Sequence, residues 1–257
     1  MKLLGLSILA PAVCQALIQF DWSFPTLARN RTLNDVTFPL RVAKAQHTKQ
    51  CFLAYRFAFG TENSPNRTLE HMGYIGLQPQ PDVHSQARIR AVFSSFTSDT
   101  NSSHPNCHAG DDSDSPKPPT GMSCTVVYDG NYSHVYNLAI QKKYPHCTGR
   151  VECHTWAGYV INTVTKRTIE IGAWTLPHEK YDGIVANSGF IKEFVGIPLC
   201  ADMPKNEMYI KFPITSTPCG GHRLISMPYQ QEARCKDLDY FKPTQMIDGW
   251  DITWGWK

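Results

Sequence analysis

The stretch Cys153–Pro177, CHTWAGYVINTVTKRTIEIGAWTLP, constrains this chain more than any other. Its first limb is aromatic and β-branched, with Trp156, Gly158, Val160 and Asn162 on one side and Ala157, Tyr159, Ile161 and Thr163 on the other. Successive side chains of an extended backbone point to opposite faces, so this alternation predicts a strand. A short polar centre, Thr165-Lys166-Arg167, follows. The second limb then sets Ile169, Ile171 and Ala173 against Thr168, Glu170, Gly172 and Trp174. The two limbs predict an antiparallel hairpin, and its turn register decides whether Trp156 and Trp174 share a face.

The same period recurs along the chain. Residues 17–38 read as an extended N-terminal arm, with one strand near 36–42. In CFLAYRFAFG, Leu53, Tyr55, Phe57 and Phe59 form an apolar stripe opposite Phe52, Ala54, Arg56 and Ala58. Residues 71–78 predict a further strand, 79–82 a turn, and 87–96 a strand with Ile89, Ala91 and Phe93 on one face. Two strands over 123–128 and 132–141 flank the turn signal Asp129-Gly130-Asn131. Others are expected over 190–198 and 207–214. A closing strand is expected near the end, with Trp250, Ile252 and Trp254 on one face. Residues 230–238 carry the strongest local helix preference after the leader. Between 97 and 122 the chain is polar and rich in Pro, Ser and Asp, which predicts a long exposed loop. Together these features predict an all-β fold: an antiparallel, jelly-roll-like β-sandwich with a long disulfide-tethered loop and at most one or two short helices.

Compartment follows from the leader and the cysteines. Lys2, the apolar run 3–13 and the small residue Ala16 predict a signal peptide over residues 1–16, leaving a single domain over 17–257. No stretch reaches the roughly 18–20 apolar residues that a membrane span needs, so no membrane association is expected. Of nine cysteines, Cys14 falls in the leader. The even remainder, Cys51, Cys107, Cys124, Cys147, Cys153, Cys200, Cys219 and Cys235, is expected to form disulfides in an oxidising compartment. Cys107 with Cys124 is the favoured pair because they bracket the polar loop, and Cys200 is expected to pair with Cys219 or Cys235. Asn30, Asn66, Asn101 and Asn131 open glycosylation sequons. The formal charge of +3 lacks the strong positive field that phosphate contacts require, so nucleic acid is not an expected partner.

The motifs GYIGLQ at 73–78 and VFSSF at 92–96, the strand Cys124–Tyr128 and the Trp156–Trp174 hairpin are similar to an uncharacterised family of extracellular β-sandwich domains. The cysteine-rich form, with its 97–122 insertion, resembles secreted fungal effectors. The resemblance covers about Cys51 to Cys200. It implies a sandwich with a glycan-associated or unassigned role, in a setting like that of effectors that act on host proteins or glycans, and it names no catalytic residue.

The sequence carries no Gly-x-Ser-x-Gly elbow and no Gly-rich phosphate loop. His104, Cys107 and His108, followed by Asp111, Asp112 and Asp114, offer ligand chemistry without the spacing of a zinc or calcium motif. Asp129, Glu152, Glu170, Glu179 and Asp182 keep paired-carboxylate glycoside hydrolysis in view. Catalytic residues, metal and cofactor are not expected. Tyr74, Trp156, Tyr159, Trp174 and Tyr181, with Gln78 and Arg88 as polar partners, are the candidate contacts to a protein or glycan. The expected function is that of a secreted, monomeric, effector-like protein that occludes an extracellular host protein such as a secreted protease. The alternative is a glycan-binding module of the cell wall or extracellular matrix.

Overall fold

The computed structural model describes residues 17–27, 32–60, 72–110, 121–143, 154–176, 183–193, 204–218, 220–230 and 241–255. Among them the period-two segments form seventeen strands and no helix, arranged as two antiparallel sheets. Strands are numbered in chain order. The larger sheet contains β1 (Leu17–Ser23), β3 (Cys51–Phe59), β4 (Met72–Val83), β5 (Gln86–Ser95), β6 (Cys107–Ala109) and β7 (Met122–Asp129). It also contains β11 (Ile184–Val185), β12 (Ser188–Glu193), β14 (Leu224–Ile225) and β15 (Tyr229–Gln230). The smaller sheet contains β2 (Asp35–Arg41), β8 (Tyr136–Lys143), β9 (His154–Asn162), β10 (Thr168–Leu176), β13 (Asn206–Lys211), β16 (Lys242–Met246) and β17 (Gly249–Trp254).

The spatial order is β14-β1-β12-β3-β4-β5-β7-β6 in the larger sheet, with β11 beside β3 and β15 beside β1. In the smaller sheet it is β10-β9-β8-β2-β13-β17-β16. Leu53, Tyr55, Phe57, Ile89 and Phe93 of the larger sheet share one core with Phe38, Leu138, Trp156, Trp174 and Ile210 of the smaller. Burying each such side chain contributes about 1.5–3 kcal/mol, which is the main force holding the sheets together. The closing strand β17 puts Trp250, Ile252 and Trp254 into this core, as their spacing predicts.

The hairpin of β9 and β10 forms, and Trp174 stands directly across from Trp156. Strict alternation sets Ile171 and Trp174 on opposite faces, yet both are buried in the core. A register shift between Glu170 and Gly172 resolves the conflict by inserting an extra residue into β10. Trp174 then stacks on Phe93 of the opposite sheet, with ring centroids 4.6 Å apart. Gly158 makes room for this stack, because a Cβ there would lie 2.5 Å from Cγ of Phe93.

Several expectations change. Residues 17–23 are a paired strand rather than a free arm: β1 lies between β12 and the short strands β14 and β15, and buries Ile18, Phe20 and Trp22. The expected turn at 79–82 is strand, and β4 instead turns at His84 and Ser85, both with positive φ. The two left-handed residues match the right-handed twist of the flanking strands in a tight hairpin. The outer face of the larger sheet is also buried in part: Phe52, Ala54, Val92 and Phe190 form a second apolar cluster. This is why CFLAYRFAF reads as a nearly unbroken apolar run rather than a strict alternation.

Of the expected long exposed loop, residues 111–120 lie outside the described residues, and the described part is only partly loop. Thr97 and Thr100 are buried, and β6 pairs with β7. Asn101 exchanges two backbone hydrogen bonds with Thr175, Ser102 Oγ donates to the Ala173 carbonyl, and Asn106 Nδ2 donates to the Ile171 carbonyl. The segment thereby covers the otherwise open edge of β10, where unpaired backbone groups would invite aggregation. The Cys107–Cys124 disulfide fixes it, as expected from the bracketing positions. Cys51 departs from the disulfide expectation: it is a free, buried thiol. Cys147, Cys153, Cys200, Cys219 and Cys235 lie outside the described residues, as do residues 1–16 and the helix expected over 230–238 beyond Gln230, which ends β15.

The Phe93–Trp174 contact predicts a steep cost for filling Gly158. Gly158→Ala is expected to lower stability by about 1–3 kcal/mol, because the buried Phe93 ring has no space into which to withdraw. Urea unfolding of the variant measures this, and an unchanged midpoint would refute the packing account.

Candidate binding surfaces

The structure divides the predicted contact residues between three environments. Trp156 and Trp174 are 0% and 1% exposed, so neither is a ligand platform; the β10 bulge brings Trp174 to the inward face that Trp156 occupies. Tyr74, Gln78 and Arg88 lie on the larger sheet. Tyr74 is half-buried, packed on Phe52 and Phe96. Gln78 Nε2 donates to the Lys49 carbonyl, while its Oε1 accepts from Arg90 and Gln80. Arg88 is ion-paired with Asp129 at 3.1 Å. Tyr159 lies on the smaller sheet, where Lys143 Nζ sits 5.0 Å from its ring centre and its hydroxyl donates to Glu170 at 3.5 Å. Tyr181 lies outside the described residues. The candidates therefore form no single site.

The remaining chemistry suggested by the sequence also has a place. Cys107 is held in its disulfide, and His104 Nδ1 accepts from the Asn106 backbone. Among the described residues there is no group of three or more His, Cys, Asp or Glu side chains able to hold a metal. Asp129 and Glu170 are exposed and engaged as above, whereas Asp111, Asp112, Asp114, Glu152, Glu179 and Asp182 fall outside the described residues. Of the sequon asparagines, Asn101 and Asn131 are exposed, and Asn30 and Asn66 lie outside the described residues.

One surface without a sequence signature is an edge. Residues 224–230 run antiparallel along β1, interrupted between β14 and β15. Ser226 N donates to the Asp21 carbonyl and Ser226 Oγ accepts from Asp21 N, so the backbone is held although the strand is broken. This pairing turns Ile225 inward and leaves Leu224, Met227 and Tyr229 exposed by 50%, 63% and 41%, beside exposed His222 and Arg223. Their spacing is irregular, which is why periodicity misses them.

A second feature is internal. Glu193, at the end of β12, is 2% exposed and spans the two sheets. Its Oε1 accepts from Asn206 Nδ2 of β13 at 2.9 Å and from Trp254 Nε1 of β17 at 2.8 Å. Its Oε2 has no hydrogen-bond partner among the described residues. Burial pushes the Glu193 carboxyl up to about 7, against the opposing pull of the Trp254 hydrogen bond. Cys51, paired with Glu193 across β3 and β12, has its thiol pushed up by burial and by the nearby carboxyl.

The chain matches no protein-family model and no curated protein. What defines its class is the fold: an all-β sandwich of two antiparallel sheets with one described disulfide, Cys107–Cys124.

Glu193 gives a pH dependence of known sign. The folded protein retains its proton where the unfolded chain has lost it. Its contribution is fully present below about pH 4.5, falls as pH rises and is gone above about pH 7. The corresponding loss is about 3 kcal/mol. Urea unfolding across this range is expected to show the decline in the native protein and a flatter profile in Glu193→Gln; equal slopes would overturn the assignment.

Proposed function

We propose that this chain is a secreted, non-enzymatic, effector-like β-sandwich that binds and occludes an extracellular host protein, with a secreted protease as the first target class to test. The observation that carries the reading is the exposed apolar edge of Leu224, Met227 and Tyr229 beside Arg223. Tyr, Met and Arg are enriched at the centres of protein interfaces, where their large side chains desolvate against a partner. A broken edge strand resists open-ended pairing with other sheets while still presenting side chains. The proposed contact lies across the larger sheet from the cysteine-tethered segment, whose Asn101, Ser102 and Asn106 are occupied in covering β10.

The glycan-binding reading rests on a separate observation: Tyr159 sits on the outer face of the smaller sheet between Lys143 and Glu170. An aromatic ring flanked by polar groups suits stacking on a sugar. Secretion is supported by the leader-like residues 1–16 and by the exposed Asn101 and Asn131.

Immobilised protein is expected to retain one discrete protein from host extracellular fluid that soluble cell-wall glycan does not displace. The Leu224→Ser, Met227→Ser, Tyr229→Ser triple variant is expected to lose that retention while Tyr159→Ala keeps it. Displacement by glycan with loss in Tyr159→Ala would instead establish the glycan reading, and retention indifferent to both variants would sink both surfaces. Expression through a eukaryotic secretory route is expected to yield glycans at Asn101 and Asn131, read as Asn-to-Asp mass shifts after enzymatic deglycosylation. Unmodified asparagines at both positions would count against secretion.

A further inference from the structure

Cys51 and Glu193 meet at a corner of the sandwich. Cys51 opens β3, Glu193 ends β12, and the two stand directly across the ladder from each other. Opposed residues of paired strands project to the same face, with Cβ atoms about 4.5–5.5 Å apart. Here that face is the interior: Cys51 is 3% exposed and Glu193 2%. A free thiol and a carboxyl are thus sealed side by side at the last rung of the β3–β12 pair.

Hydrogen bonds close this corner. Asn206 Nδ2 donates to Glu193 Oε1, and Asn206 Oδ1 accepts from the Gln46 backbone at 3.1 Å, so one amide side chain ties the carboxyl to the segment leading into Cys51. The same segment is held from outside by the Lys44–Glu207 and His47–Asp82 ion pairs and by Gln78, which donates to the Lys49 carbonyl. Glu193 is faced by Cys51 from β3, Asn206 from β13 and Trp254 from β17, and Tyr132, in the loop after β7, is close enough to Cys51 for their charges to interact. None of these is a cation, and no ion pair is made to Glu193 among the described residues. Ionised in place, the carboxyl would be charged and buried with Oε2 unpaired, a cost that opening to water removes.

We propose that Cys51 is a gated modification site: ionisation of Glu193 loosens the Glu193–Asn206–Gln46 connection, opens the strand-end corner and lets the thiol exchange with a small disulfide. In the closed corner the thiol stays protonated, pushed up by burial and then by Glu193, and only a thiolate attacks sulfur. Water in the open corner restores the thiolate, which attacks one sulfur of the disulfide. The mixed Cys51 disulfide forms as the original sulfur–sulfur bond breaks, and the departing thiolate takes up the proton that Cys51 released. The Cys51 sulfur is oxidised and one sulfur of the small disulfide is reduced. With burial holding the Glu193 carboxyl at about 7, the corner is shut in acid and opens as pH rises through neutrality. The site is independent of the edge surface, so its failure would leave the protein-binding reading standing.

Native protein incubated with oxidised glutathione across the acid-to-neutral range provides the test, with Cys51 occupancy read by peptide mass spectrometry. Dividing each rate by that of the urea-unfolded chain at the same pH removes the ionisation of the thiol itself. From about pH 5 to about pH 8 the normalised rate is expected to rise by more than about tenfold in the native protein. It is expected to stay flat in Glu193→Gln, which keeps an oxygen acceptor for Asn206 and Trp254. Hydrogen exchange on the native protein adds a readout that needs no variant: at the upper end of the range, amides at the Cys51 and Glu193 strand ends are expected to be at least about tenfold less protected than those around Trp174. The proposal is overturned by no normalised rise, by an equal rise in Glu193→Gln, or by a rise that His47→Gln abolishes and Glu193→Gln keeps. Equal protection at Cys51 and Trp174, which marks global unfolding, would overturn it too.

Discussion

The stack of Phe93 on Trp174 is the contact on which the rest of the sandwich depends. It joins β5 of one sheet to β10 of the other, and its ring planes lie only 15° from parallel. Three local features serve it. The bulge in β10 rotates Trp174 inward, Gly158 leaves the Phe93 ring its space, and Phe59 closes on both Trp156 and Trp174 from β3. Gly172 has a parallel role beside the disulfide, since a Cβ there would lie 2.5 Å from Cβ of Cys124. The hairpin, the disulfide and the covered edge of β10 are therefore one packed unit, and a change in any of them is felt by the others.

On the opposite side of the molecule a buried polar contact is set into the same apolar core. Glu193 joins β12 to Asn206 and Trp254 of the other sheet through a single carboxyl oxygen, in a place where an ionised group is poorly solvated. Elsewhere, the Tyr132 hydroxyl accepts from Gln80 N and donates to the Arg88 carbonyl, tying the loop after β7 to the β4–β5 pair. Both sides are packed by apolar side chains, and near Glu193 that packing is coupled to the protonation of a buried acid.

Legibility followed the range of the interaction. Ile89, Ala91 and Phe93 were readable as one face because alternation is a property of the local backbone, and the same holds for Trp250, Ile252 and Trp254. Cys107 and Cys124 were readable as a pair because they bracket a single polar segment. Residues 79–82 read as a turn that belongs instead at His84 and Ser85, since strand pairing with β5 outweighed the local signal. Trp156 and Trp174 were candidates for a platform because their residue type suits one, and nothing local distinguishes a Trp that stacks on a ligand from one that stacks on Phe93.

The period-two strands, the all-β class and the faces of the uninterrupted strands were written in the sequence, because all of them follow from backbone geometry within a few residues. The direction in which Trp174 points was not, since the β10 bulge is stabilised by a partner on another sheet. Nor was the meeting of Glu193 with Trp254, 61 residues away, where loss of water rather than any neighbour in sequence holds the proton on the carboxyl. The Trp156–Trp174 hairpin shows both sides of this division: its alternation specifies paired strands, but only burial against the opposite sheet makes those strands core rather than surface.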